Sequence, residues 1–567
     1  MDKATIHKSN QSARAAFLVV ASAIGVWLTW DALSFRLVTY SLWADYWEHS
    51  AALTEWMRNL ADPGNPHLAG GDSSSRYIPT FLAFAALGKL FGWSALELMS
   101  ISSIINYLVI ATGIYLFSKA YFRNAWAPLI TFVVLFTAWG VPWVWSNLYH
   151  LRSFFLVSAY PSSFVFGLSL IAFWYSLRFL RCQTGILSGV VVLLLLSALM
   201  FVSHPLTGVF GIVGCCLLAC TERGVSLSMR ALVVIFLLGG ALLADFWPYF
   251  SVWDVVLNKS DVVDDHTWQS FQGLSGMLAR AQSGEWWHKL YDPRQLAAGL
   301  GLALFGLPVC MWLLVTKKQP FILLGATMMA IPYLGNIFYQ VALGHRFLFY
   351  VVFFLHLAIV WAVLQLKDSW LQSRSTGNVA IVTSTGWFAT VAVLVFSLIA
   401  NVLLLLSDYR GEHLHQKIRW IDKQQYLPEE ILYFYQEYYL GIKADNTVVD
   451  VYTELTASLP ESAIVIGNAK LTWPLPTFRG KAVSLPEDRA GLLVPDEADR
   501  IEAERLFLDG ATSAAKRSRI IQQYDVSHAL ISNTNSAPGL LRWLNSNAEQ
   551  VAVVGRYEMY VLNRMPR

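Results

Sequence analysis

The chain has 567 residues, of which 56% are hydrophobic and only 14% are charged, and its mean hydropathy is +0.47. This composition excludes an ordinary soluble domain, and a formal net charge of +3 gives no argument for nucleic acid as a partner. The five cysteines lie in or beside apolar runs, so they predict no disulfide framework.

The apolar runs predict an α-helical polytopic membrane protein with about eleven transmembrane helices. The first run, at about 15–38, has no convincing small-residue cleavage site, which favours a retained signal anchor. Residues 79–91 are too few to cross a bilayer and predict a re-entrant or interfacial helix. The other spans are expected at about 95–118, 124–145, 163–181, 184–203, 206–220, 228–248, 295–315, 319–340, 347–366 and 378–406. Basic residues at the N-terminus and in alternate short turns place the N-terminus inside and the C-terminus outside.

This reading divides the chain into a transmembrane module, residues 1–407, with outer loops at 39–78 and 248–294, and a small extracytoplasmic α/β domain at 408–567. The alternation of apolar strands and amphipathic helices carries the second assignment. Its expected elements are a helix at Glu412–Tyr439, a buried strand at Ala463–Gly467, helices at Asp496–Leu508 and Ser513–Tyr524, a strand at Val526–Ser532 and two strands within Val551–Asn563.

The first outer loop concentrates ionisable residues next to a membrane surface. Asp45, Glu48 and His49 are three and four residues apart, so a helix would place them on one face. A carboxylate there, facing a water-filled cavity, suits a general base, and a solvated helix with ordinary surface charges explains the same residues. Three tryptophans of the loop are expected at the level of the lipid headgroups, namely Trp43, Trp47 and Trp56.

Basic residues also occur at the outer ends of predicted spans. His204 precedes Pro205 and either serves the function or caps a helix that proline interrupts. His345 and Arg346 open a late span, where the arginine either binds a lipid phosphate or extends toward the interface. Arg152, near Tyr160, is a weaker instance of the same pattern.

Metal and nucleotide chemistry have little support in the sequence. The group Asp264-Asp265-His266 has hard oxygen and imidazole ligands, and an acidic solvated loop explains it equally. No Walker motif, dinucleotide fingerprint, zinc spacing or Ser-His-Asp pattern stands out from the sequence.

The order of these features resembles the polytopic GT-C glycosyltransferase superfamily. The resemblance rests on an acidic helix after the first span, a Pro-led segment that ends at Phe91-Gly92, a His-Pro pair at a span end, an arginine-led late span and an outer C-terminal domain. Two tail segments are similar to common segments of such bacterial enzymes, Phe478-Arg479-Gly480-Lys481-Ala482-Val483 and the stretch 519–530.

The resemblance implies transfer of a sugar from a polyprenyl-phosphate-linked donor to a glycan, lipid or protein acceptor at the periplasmic face of a bacterial inner membrane. Asp45 would be the general base. The other implied roles are donor phosphate or lipid binding by Arg346, His345, His204 and Arg152, orientation of the base or acceptor by Glu48 and His49, and acceptor binding or positioning by Asp72, Arg76 and Tyr160.

Three points stay open in this interpretation. The first outer loop has no Asp-Asp or Asp-x-Asp pair, so the need for a divalent cation, Mg²⁺ or Mn²⁺, is undecided. A polysaccharide polymerase or ligase would place its chemistry in the loop at 248–294, and a lipid-linked-glycan transporter would be expected to carry charges deep in its spans. A non-catalytic membrane scaffold is the remaining alternative.

Overall fold

A computed structural model describes residues 3–34, 45–70, 74–140, 149–256, 293–338, 344–375, 381–409, 448–486, 494, 496–534 and 536–563. The chain forms two compact units. The first, called the membrane unit here, consists of the described residues of Met1–Ser34, Ser103–Phe246 and Val263–Leu427. The second, the loop–tail unit, consists of those of Phe35–Ser102, Trp247–Val262 and Pro428–Arg567.

The membrane unit is built from long apolar helices. Its α-helices, some of them only partly within the unit, are Lys3–Ser34, Ala95–Phe122, Ala127–Thr137, Leu151–Val157, Pro161–Leu180, Ile186–Ser203, Pro205–Thr221, Leu227–Leu243, Pro293–Leu300, Gly306–Val315, Pro320–Phe338, Leu348–Ser375 and Ile381–Tyr409. Proline stands in the first turn of several of them, where its missing N–H would have no helical partner.

Eight helices of the described chain are long and apolar enough to cross a membrane, which confirms a multi-pass membrane protein. They are Asn10–Ser34, Ala95–Phe122, Pro161–Leu180, Ile186–Ser203, Leu227–Phe246, Leu296–Val315, Gly344–Ser373 and Ser384–Leu406. Three further expected spans contain shorter apolar helices, Ala127–Thr137, Pro205–Thr221 and Pro320–Asn336, so the number eleven stays a prediction.

The helix that follows Arg346 lies at the centre of the membrane unit. In the span Gly344–Ser373, 78% of the apolar window is buried inside the protein, against 17% in Ser384–Leu406. Close helix contacts elsewhere in the unit depend on glycine: a Cβ added to Gly113 would lie 2.7 Å from the carbonyl oxygen of Gly167. Small residues at such a crossing allow two helix backbones to approach closely.

The loop–tail unit contains a five-stranded mixed sheet in the order β2-β1-β3-β5-β4. β1 pairs in parallel with β2 and β3, and β5 pairs antiparallel with β3 and β4. The strands are β1 Ile464–Gly467, β2 Lys481–Ala482, β3 His528–Ser532, β4 Ala548–Val554 and β5 Tyr557–Leu562. The tail helices are Val448–Thr456, Ala469–Thr472, Leu475–Phe478, Glu497–Leu508, Ala514–Gln523 and Pro538–Asn547.

The predicted α/β character of the tail is confirmed. β1, β3, the terminal strand pair and the helices Glu497–Leu508 and Ala514–Gln523 lie where the periodicity placed them. Their apolar faces enclose one core around Ile466, Phe507 and Leu544. The helix expected at Glu412–Tyr439 lies outside the described residues.

Two helices of the first loop belong to the same unit as the tail sheet. They are Tyr46–Arg58, called the loop helix below, and Pro79–Phe91. Between them, Leu68 forms a parallel bridge with Ala482 of β2, and the Ala482 amide donates to the carbonyl of His67 at 2.7 Å. The first loop therefore adds an extended segment to the edge of the tail sheet.

Candidate functional site: an acidic loop helix and a basic cluster

The loop helix begins at Asp45, whose carbonyl accepts the first helical hydrogen bond from the His49 amide at 3.0 Å. Glu48 lies in its first turn and Arg58 in its last, which suits the helix dipole at both ends. The acidic helix that the spacing predicted is therefore present, and it places Asp45 at its N-terminal end.

Arg76 lies between the two carboxylates at the N-terminal end of this helix, Asp45 and Glu48. Its Nη2 contacts Glu48 Oε2 and is 4.0 Å from Asp45 Oδ1. The Glu48 side chain is 8% exposed, whereas that of Asp45 is 33% exposed. Glu48 is thus buried against the guanidinium, and Asp45 is the carboxylate that an external molecule can reach.

The short turn before Pro79 holds Arg76 in place. The Arg76 amide donates to Ser74 Oγ at 3.2 Å, and the Tyr77 amide donates to the Ser74 carbonyl at 3.1 Å. Asp72, predicted to position an acceptor together with Arg76, lies outside the described residues. The turn gives Arg76 a defined position opposite the start of the loop helix.

His49, predicted to orient Asp45 or the acceptor, is buried. Its ring packs edge-on against Phe81, with the ring centroids 5.2 Å apart. This contact joins the loop helix to the helix Pro79–Phe91, and the orienting role stays a prediction.

The expected interfacial tryptophans are instead core residues, and the headgroup prediction was wrong for both that the structure describes. Trp47 is fully buried against Tyr452 and Phe478 of the tail, with centroids 6.2 and 6.1 Å away. Trp56 is fully buried against Tyr77, at 4.7 Å. Packing against other aromatic rings removes the large apolar surface of both side chains from water. Trp43 lies outside the described residues.

Tail residues fasten the loop helix along its length. The Thr477 hydroxyl is 2.7 Å from Ser50 Oγ, and the Thr477 carbonyl accepts from Thr54 Oγ1 at 2.9 Å. At the next residue of the helix, Glu55, Oε1 accepts a hydrogen bond from Lys481 Nζ at 3.1 Å. These contacts fix the helix that carries Asp45 and Glu48 to the C-terminal domain.

In the membrane unit, His204 begins the helix Pro205–Thr221 and accepts from the Thr207 amide at 3.3 Å. Tyr350 donates its hydroxyl proton to Thr207 Oγ1 at 2.8 Å, so the Thr207 hydroxyl donates to His204 Nδ1 at 2.9 Å. Neutral His204 then carries its proton on Nε2. The capping interpretation of His204 is therefore realised, and donor binding stays a prediction.

The segments that carry the other predicted basic residues adjoin the helix Leu348–Ser375, to which Tyr350 belongs. Tyr149, three residues before Arg152, donates to the carbonyl of Phe349. His345 is buried and Arg346 half-buried in the short turn that opens this helix. Arg152 is buried as well.

Tyr160, the remaining predicted residue, is buried at the start of the helix Pro161–Leu180, and its carbonyl accepts from Asn106 Nδ2 at 3.2 Å. These contacts involve its backbone, and its expected role toward an acceptor stays a prediction.

The residues that the structure describes do not suggest a metal site. Across the described ranges, no three or more His, Cys, Asp or Glu side chains come together in a way that could hold a metal ion. The paired carboxylates of Asp45 and Glu48 face the Arg76 guanidinium instead. Asp264-Asp265-His266 lies outside these ranges, and a requirement for Mg²⁺ or Mn²⁺ stays a prediction.

No family model matches the sequence, and no curated protein is similar to it in sequence. Several solved structures are similar in fold. A variant of the arabinofuranosyltransferase AftD from Mycobacteria aligns with a TM-score of 0.53 and 13% identity, over 97% of this chain and 41% of AftD. ArnT from Cupriavidus metallidurans, bound to undecaprenyl phosphate, has a TM-score of 0.48 and 12% identity, over 94% of this chain and 97% of ArnT.

The oligosaccharyltransferase AglB from Archaeoglobus fulgidus, solved with an inhibitory peptide and a dolichol-phosphate, aligns over 96% of this chain and 75% of its own, with 12% identity and a TM-score of 0.48. At such identities the similarity establishes architecture only. The chain has the fold of the GT-C membrane glycosyltransferases, as the order of its motifs predicted.

Proposed function

We propose that this protein is a membrane glycosyltransferase that moves a sugar from a polyprenyl-phosphate-linked donor to an acceptor outside the cytoplasm. The observation that carries the proposal is the cluster of Asp45, Glu48 and Arg76 at the start of the loop helix, in a chain with the GT-C fold. The neighbours in fold include transferases of sugars and a protein bound to a polyprenyl phosphate, which supports this donor class.

In this proposal Asp45 is the general base. Its carboxylate removes the proton of the acceptor nucleophile while that atom bonds to the anomeric carbon of the donor sugar. The bond between the anomeric carbon and the phosphate oxygen breaks, and the polyprenyl phosphate leaves with the bonding electrons. Asp45 suits this role better than Glu48 because it is more exposed and is 4.0 Å from Arg76 Nη2, whereas Glu48 is in direct contact with the arginine.

The leaving phosphate needs positive charge or hydrogen-bond donors. We assign this task to basic residues of the membrane unit, first to Arg346 and then to His345, His204 and Arg152. The Nε2 proton of His204 makes its imidazole a hydrogen-bond donor even when neutral.

The test is donor dependence of the purified full-length protein in liposomes. Polyprenyl-phosphate donors carrying radiolabelled sugars, extracted from membranes, are supplied beside the matching nucleotide sugars, and label is followed into acceptor extracts. We expect transfer from a lipid-linked donor, with release of polyprenyl phosphate, and none from nucleotide sugars. Transfer that uses only nucleotide sugars would overturn the proposal.

A further inference from the structure

One buried arginine of the tail reaches into the first loop. Arg500 is 5% exposed and lies in the helix Glu497–Leu508. Its Nη2 donates to the carbonyl of Ala69 at 3.0 Å, its Nη1 to the carbonyl of Val483 at 3.0 Å, and its Nε to Asp496 Oδ1 at 2.8 Å. A single guanidinium thus joins the tail helix, the edge of the sheet and the first loop.

Ala69, whose carbonyl accepts from Arg500, comes shortly before the segment that carries Arg76. Just before Ala69, the amides of His67 and Leu68 donate to Asn65 Oδ1 at 2.9 and 3.0 Å. The carbonyl of His67 accepts from β2, as described above. The stem of the loop, residues 67–69, is therefore fixed to the tail, and Arg500 makes the last of these contacts, at Ala69.

The other end of the loop is fixed as well. Trp247 Nε1 donates to the carbonyl of Tyr77 at 2.6 Å, directly after Arg76. The Tyr77 ring packs against Trp56 of the loop helix. Because both stems are anchored, the position of the Arg76 guanidinium relative to Glu48 and Asp45 depends on these anchors.

We propose that Arg500 is a positioning residue that sets the place of Arg76 beside the acidic end of the loop helix. The C-terminal domain is then a structural part of the catalytic centre. The expected effect on sugar transfer rests on the proposed function. The expected effect on the position of Arg76 rests on the contacts alone. An arginine suits the position because its planar fork serves three acceptors at once, which a lysine ammonium on a flexible stem cannot do in the same geometry.

The chain offers a matched control in a second buried arginine of the same domain. Arg517 is 2% exposed and donates to the carbonyls of Phe507, Thr512 and Asp509. Like Arg500, it lies beside an aromatic ring, with its guanidinium 5.5 Å from the centroid of Trp543. These three acceptors all belong to the tail, so replacement of Arg517 disturbs the domain and leaves the first loop attached to it.

The experiment compares Arg500→Met, Arg500→Lys and Arg517→Met in the full-length protein in nanodiscs. Hydrogen exchange followed by mass spectrometry reports on peptides that cover residues 64–80. We expect both Arg500 variants to raise exchange there by about tenfold or more, since opening of this segment no longer breaks the Arg500 contact. Arg517→Met is expected to raise exchange only in the tail. Wild-type exchange at 64–80 in both Arg500 variants, or an equal rise in Arg517→Met, would overturn the proposal.

Sugar transfer supplies the second readout, measured well below the melting temperature of each variant. We expect Arg500→Met to lower turnover by roughly ten- to a hundredfold, as small misplacements of a charged group do. In an Arg76→Lys background, Arg500→Met should have little further effect, because it acts through Arg76. Full additivity of the two losses would contradict the positioning role. Absence of sugar transfer by the wild-type protein would refute the proposed function. The hydrogen exchange of residues 64–80 would then still test whether Arg500 positions the loop.

Discussion

The ion pair between Lys481 of β2 and Glu55 of the loop helix can be removed to test how strongly contacts between the first loop and the tail stabilise the protein. The side chains are 20% and 10% exposed, so solvent screens them little. Lys481→Met removes a hydrogen bond of 3.1 Å to Glu55 Oε1 and one of 2.7 Å to the carbonyl of Asn65. Glu55 keeps Arg58 at 3.2 Å, so no bare buried charge remains.

Two hydrogen bonds of a charged group, at about 1.5 kcal/mol each, give a loss of about 3 kcal/mol in the free energy of unfolding. For a unit of this size that loss corresponds to a fall of roughly 6–12 °C in melting temperature. The assay is thermal unfolding of the full chain in detergent, followed by tryptophan fluorescence. The control is Lys516→Met, which changes an exposed lysine of the same domain.

A double-mutant cycle refines this measurement. Lys481→Met combined with Glu55→Gln should destabilise less than the sum of the single changes, by about 0.5–3 kcal/mol. Additive losses, or a melting temperature of Lys481→Met within 1–2 °C of the Lys516→Met control (on the order of experimental error), would refute the reasoning.

Three further results are expected. Burial, together with the positive charges of Arg76 and Lys481, lowers the pKa of His67 from 6.5 to about 3, so His67 is protonated in the unfolded chain at a pH where it stays neutral in the folded one. The free energy of unfolding should therefore decrease as the pH drops below 6.5, by about 1.4 kcal/mol per pH unit. His67→Asn should flatten that slope in melting curves recorded from pH 7 to 5. Gly113→Val should abolish stable expression, since its side chain would collide with a neighbouring helix. Gly386→Val should express normally, because a Cβ added there would meet no atom of another segment within 4 Å. In intact spheroplasts and a cysteine-free background, an impermeant thiol reagent should modify cysteines placed at Ser74 and at Ser536, and protection of either would contradict the proposed orientation.

The sequence predicted what depends on local patterns. Apolar runs marked the membrane helices, and period-two and period-3.6 patterns marked β1, β3, the terminal strand pair and two tail helices. The spacing of Asp45, Glu48 and His49 likewise predicted a helix, which is present at Tyr46–Arg58. Each of these features is decided within a window of twenty or so residues.

The contacts that assemble the site join residues that are far apart in the chain, so local patterns do not predict them. Lys481 and Glu55 are 426 residues apart in the chain, and Arg500 and Ala69 are 431 apart. β2, with two residues, has no detectable alternation of its own. Trp47 looked like an interfacial ring because the first loop, taken alone, offers nothing to bury it. A single sequence contains no covarying pairs that would have joined these segments.

The central claim is that Asp45 accepts the proton of the acceptor, and replacement of this residue tests it most directly. Asp45→Asn keeps the size and hydrogen-bonding capacity of the side chain and removes its basicity. Single-turnover transfer from the lipid-linked donor should fall by about a hundred- to ten-thousandfold. Binding of the donor should be retained.

Two companion variants make the result specific. Asp62→Asn, at an exposed carboxylate of the same loop, should transfer sugar at the wild-type rate. Arg346→Ala should instead weaken donor binding, by about 1.5–3 kcal/mol. We expect Asp45→Asn to lose turnover with donor affinity unchanged, and a wild-type transfer rate in Asp45→Asn would contradict the assignment of Asp45 as the base.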